Sequence, residues 1–143
     1  MKKIALFTLL TFSTLFAAEQ SADDIDGYKI FKRDCKQCHV EMMSKSETMT
    51  ALKAGKLLAP PMVEVSKRIQ QIIQVNLDNE EARNFIHISF IKAYLKQPDI
   101  FTSLCQPHAK EKFGVMPAQT QLTDAEAEAV ADWILYRYED VAF

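Results

Sequence analysis

Two cysteines and a histidine, Cys35, Cys38 and His39, stand together in the stretch RDCKQCHV. A thiol, two spacers, a second thiol and an imidazole can serve three chemistries: a zinc site, a redox disulfide, or covalent attachment of haem. Zinc usually takes four ligands from two separated clusters. Here there is one cluster, and Cys105 and His108 would have to complete the set. His39 also directly follows Cys38, where simultaneous chelation is awkward. A redox disulfide normally sits at a helix start in a βαβ setting, whereas this motif comes after a helical pattern. Covalent haem uses every residue. Cysteines three apart on a helical turn face one side, roughly 5–6 Å apart. That spacing suits addition of both sulfurs to the two vinyl groups of one haem, and His39 is then carried under the ring towards iron.

A six-coordinate iron needs a second ligand on the opposite face. Met42 and Met43 lie too close to His39 to reach round the ring, and Met49 and Met62 read as core residues. Met116 stands apart in KEKFGVMPAQTQ, between two helical patterns. Gly114 gives that loop backbone freedom and Pro117 stiffens the chain just beyond the methionine. His108 is the competing distal group, although beside Pro107 it reads first as a surface histidine. His87 reads as structural and Cys105 as a buried small thiol; Tyr94 and Trp133 read first as packing residues, with a hydrogen bond to a haem carboxylate as the alternative.

The elements that must position these groups are helical. Only three glycines occur in the 143 residues, which leaves few places for tight hairpins. The start, MKKIALFTLLTFSTLFAAEQ, has two lysines, an apolar run from Ile4 to Phe16, and the small pair Ala17-Ala18. That layout is a secretory signal peptide, expected over residues 1–18 and too short to span a bilayer. Export to the periplasm is the consequence, with residues 19–143 forming one domain and no later run long enough for a membrane span. Losing Lys2 and Lys3 moves the formal charge from −2 to about −4. A mildly acidic exported chain is a poor nucleic-acid binder.

Ser21 or Asp23 is expected to cap a first helix running into the CKQCH motif, with Ile25, Tyr28, Ile30 and Phe31 as its apolar side. Ser46 is expected to cap a short helix closed by Gly55. APPMVEVSKRIQQIIQV opens with prolines suited to a helix start. Asp78 or Asn79 caps a longer helix ended by Pro98, whose expected inner face is Ala82, Phe85, Ile86, Ser89, Phe90, Ala93 and Tyr94. Thr123 and Glu126 have capping-box spacing before an inner stripe of Ala127, Val130, Trp133, Ile134 and Tyr138.

GYKIFKRDCKQCHV and GVMPAQTQLTDAEAEAVADWI together resemble the class I c-type cytochromes, with Gly27, Phe31 and Cys35 at the family's spacing. The resemblance covers roughly a third of the chain. It implies an all-α fold wrapped around one covalent haem c, with Cys35 and Cys38 attached to it, His39 proximal and Met116 distal. It also implies that Gly27 and Phe31 meet the face bearing Val130, Trp133 and Ile134. APPM is similar to the family's Gly-Pro segment, so Pro60 is implied as the carbonyl that holds the His39 ring; Ala59 stands where the glycine usually does. The middle, Met43 to Lys110, is long for a minimal member. The implied function is electron transfer between redox partner proteins, without bond chemistry. The alternative is a haem-bearing relay subunit of a periplasmic oxidoreductase.

Overall fold

In the computed structural model, residues 25–74 and 78–143 are described. The expected signal peptide and the expected caps Ser21 and Asp23 lie outside them. The described first helix, α1 (Gly27–Ile30), is capped instead by Asp26, whose carboxylate accepts the backbone N–H groups of Tyr28 and Lys29. It widens into a π-helical segment (Phe31–Cys35), and Lys36 N–H closes that segment on the Phe31 carbonyl at 2.9 Å. The Cys35 carbonyl then accepts the N–H groups of both Cys38 and His39, so the motif forms the end of the helix.

Helix α2 (Lys45–Lys53) starts earlier than expected: Ser44, with Glu47, makes the capping box, not Ser46. Helix α3 (Met62–Ile72) comes after Pro61, and α4 (Glu80–Lys96) is capped by Asn79. A short helix the sequence pattern did not separate, α5 (Pro107–Phe113), has proline in its first turn and ends on Gly114 at φ +67°. Helix α6 (Asp124–Tyr136) carries the Thr123–Glu126 capping box. Among the described residues there is no strand.

Helix α6 is the centre of the fold, with α1, α3 and α4 packed on it. Its expected stripe is right: Ala127, Val130, Ile134 and Tyr138 are buried, with Trp133 half-buried. The α1–α6 crossing is close because Gly27 has no side chain. A Cβ there would lie 2.1 Å from the Ala129 carbonyl oxygen and 2.8 Å from Trp133 Cβ. Around the crossing Trp133 stacks on Phe31 at 4.5 Å and on Tyr28 at 5.5 Å between ring centroids.

The face of α4 differs from expectation. His87, Ile91 and Leu95 are buried, while Phe85 is 69% exposed and Ser89 and Ala93 are exposed too. This helix has two apolar duties: it packs on α6 and, with Phe90 and Tyr94, walls a cavity. Apolar residues therefore lie nearly all round it, and periodicity cannot single out one side. Met49 also proves half-exposed instead of core, whereas Met62 is buried as expected.

Candidate haem site

The end of the π-helical segment, α3, the second half of α4 and the loops on either side of α5 border a mainly apolar cavity. Its wall includes Met62, Val65, Ile69, Phe90, Ile91, Leu95, Leu104, Phe113 and Ile134. Cys35, Cys38, His39, Pro60 and Met116 all border this one space, although they come from separate stretches of chain.

His39 Nδ1 lies 2.8 Å from the Pro60 carbonyl oxygen. A carbonyl can only accept, so Nδ1 carries the proton and the Nε2 lone pair is left available. Burial holds the imidazole below its ordinary pKa, with the Pro60 bond opposing the shift. The ring is thus neutral at pH 7, the state in which it can bind a metal. Pro60 is held in register by a backbone ladder, since Met62 N–H donates to the Val40 carbonyl at 2.8 Å and Val63 N–H to that of Glu41 at 3.3 Å.

All three cysteines are free thiols. Burial, aided by the Asp34 charge, pushes the Cys35 thiol up to about 11, against the opposing Arg33 charge. Cys35 is buried and Cys38 exposed, so the pair spans the cavity rim from inside to outside. This disposition does not suit a zinc centre: among the described residues no three His, Cys, Asp or Glu side chains converge on a possible metal position.

The other candidate distal groups sort by position. His108 is exposed on α5 and does not border the cavity. His87 is buried elsewhere, its Nε2 2.9 Å from the Ile73 carbonyl. Met62 borders the cavity from the His39 side, next to Pro60, which leaves Met116 and Cys105 on other walls. Cys105 is half-buried at the cavity, not a core thiol. Trp133 is absorbed by its aromatic stack, so of the two residues with a carboxylate as the alternative partner only Tyr94 borders the space.

Sequence reasoning missed Arg68, the only lysine or arginine on the cavity wall among the described residues. Its Nε donates to the Leu104 carbonyl at 2.5 Å, which anchors the guanidinium at the wall that Leu104 forms. A signal was present: Val65, Arg68 and Ile69 fall at i, i+3 and i+4, placing an arginine in an apolar stripe.

A mainly apolar cavity bordered by two free thiols, a neutral imidazole and a thioether, with Arg68 alongside the acids Asp34 and Glu64, fits a largely apolar macrocycle carrying iron. Comparison with known proteins agrees. The family described as "Cytochrome C oxidase, cbb3-type, subunit III" matches residues 22–134. An uncharacterized protein of Aquifex aeolicus (strain VF5) is 35% identical over 121 residues, covering 80% of this chain and 74% of that protein. No solved structure matches. The match runs from before the CKQCH motif to within α6, through every wall of the cavity, and the chain belongs to this family of c-type cytochrome domains.

Proposed function

We propose that the protein is a periplasmic electron carrier with one covalent haem c held between His39 and Met116. Bound there, the haem supplies one-electron Fe(III)/Fe(II) exchange. Cys35 and Cys38 provide the two thioether anchors. His39 offers Nε2 while Pro60 fixes its tautomer and orientation. Met116 offers a neutral thioether from the loop after Gly114, a ligand that favours ferrous iron and raises the potential. Apolar side chains along the slot exclude water, and Arg68 with Tyr94 meets the carboxylates. His39 and Met116 would together hold the metal and leave it no position for a substrate.

The observation that carries this reading is the His39–Pro60 bond at 2.8 Å in a cavity that Cys35, Cys38 and Met116 also border. Acid–organic extraction is the test: haem stays on the wild-type chain, and Cys35→Ala/Cys38→Ala carries none. Easily extracted haem rejects the proposal. Export is supported by the N-terminal pattern.

The family's description, an oxidase subunit, favours a second reading, in which the domain relays electrons within a larger periplasmic complex. Co-purification of the tagged holoprotein from its native membrane and soluble fractions distinguishes the two. A stoichiometric partner favours the relay, and a lone soluble chain favours the carrier.

A further inference from the structure

The segment immediately after His39 is held from two sides. One is the ladder to Pro60–Val63 already described. On the other, a single residue gathers three partners. The Glu41 carboxylate accepts from Tyr28 Oη at 3.2 Å and lies 3.3 Å from an Arg137 terminal nitrogen. The backbone carbonyl of Glu41 accepts from Tyr138 Oη at 3.0 Å as well as from Val63 N–H. Tyr28 belongs to α1, while Arg137 and Tyr138 directly succeed α6. Glu41 thus ties the segment bearing the iron ligand to both ends of the helix crossing and to the start of α3.

We propose that Glu41 is a positioning residue that sets the hydrogen bond from His39 to Pro60, and through it the reduction potential. The proposal rests on His39 binding haem iron, as argued above. Val40 and Glu41 share the backbone ladder with Met62 and Val63, so their placement relative to Pro60 decides how squarely the imidazole N–H meets its acceptor. A short, straight bond strengthens imidazole donation and favours ferric iron; a looser one raises the potential. Both phenols act as donors: the Glu41 charge, chiefly, raises the Tyr28 pKa, and burial followed by the Glu41 charge raises that of Tyr138.

The test uses the holoprotein with two readouts, the reduction potential and the solvent-exchange rate of the His39 ring N–H proton by NMR. Glu41→Ala should raise the potential and speed exchange about tenfold. Glu41→Gln can still accept from Arg137 and hydrogen-bond Tyr28, so its exchange rate should stay near wild type. Tyr138→Phe removes one hydroxyl from a filled space, and should speed exchange in the same direction by a smaller factor; it decides the matter where Glu41→Ala does not fold. Unchanged exchange in Glu41→Ala, or in Tyr138→Phe where that variant decides, overturns the proposal. So does an equal rise of potential in Glu41→Ala and Glu41→Gln, which would be the effect of lost charge alone. A wild-type spectrum without a histidine-bound haem overturns the underlying reading as well, and so separates the two failures.

Discussion

Met116 shows what one side chain can be asked to do and what can be read of it in advance. Its placement was legible because a glycine and a proline bracket it in a loop, and the structure sets it on the cavity wall after Gly114 at φ +67°. Ligation by its sulfur should give the ferric holoprotein a weak charge-transfer band at the red end of the spectrum. Met116→Ala should abolish that band, lower the potential, and open the reduced iron to carbon monoxide. His108→Ala should leave all three unchanged, since its side chain lies outside the cavity. A band that survives Met116→Ala assigns the ligand elsewhere. Pro60 was also legible, through a resemblance, whereas Arg68 was marked only by its place in an apolar stripe and Glu41 by nothing local. Their roles arise from partners far away in sequence: the Leu104 carbonyl for one, Tyr28 and Arg137 for the other. No local pattern encodes such pairings.

Between elements, the α1–α6 crossing is the joint on which the site depends, and it was readable through the resemblance of the Gly27–Phe31 and Val130–Ile134 stretches to the family's two crossing helices. Gly27→Ala should cost about 3 kcal/mol, because the new Cβ meets a backbone oxygen that cannot step aside. Urea unfolding of the oxidised holoprotein would measure it, and a loss under about 1 kcal/mol would mean that the helices separate easily. A second joint is polar. Glu126 completes the cap of α6 and also receives Arg33 from the π-helical segment at 2.9 Å. Its carboxyl is held below the ordinary value, first by the Thr123 backbone N–H and then by Arg33. A depressed carboxyl contributes stability that is present above the unfolded pKa and lost as pH falls through the folded one. Glu126→Ala should therefore cost about 1 kcal/mol at pH 7. The gap between the two proteins should shrink below about pH 4. A gap independent of pH would assign the loss to helix propensity. The α4 face, by contrast, was misread because a helix serving both α6 and the cavity has no single apolar side to detect.

Over the whole molecule, charge is unevenly placed. The stretch from Asp124 to Asp140 holds six acids, Asp124, Glu126, Glu128, Asp132, Glu139 and Asp140, against the single base Arg137. Part of that charge is matched on the spot, by Lys92 to Glu128 at 2.6 Å, by Lys96 to Asp124, and by Arg33 to Glu126. The rim of the cavity is different. Lys36 is exposed between Cys35 and Gln37, both of which border the space. Lys110 and Lys112 flank it on α5, where their ammonium groups donate to the carbonyls of Ile100 and Leu52. Three lysines thus stand around the cavity mouth, beside the bordering acids Asp34 and Glu64, where an electron would enter or leave. Long-range attraction of this kind orients an acidic redox partner before contact and is screened by salt. The electron-transfer rate to such a partner should fall about tenfold as ionic strength rises from about 0.01 M to about 0.15 M. Lys36→Glu should lower the low-salt rate and flatten the dependence, while leaving the ferric spectrum intact because residue 36 is exposed to solvent. A rate that ignores salt would reject steering by this edge and leave apolar contact as the means of docking. Exposed Val40 and Val115, each one residue from a proposed iron ligand, would then be the side chains to change next.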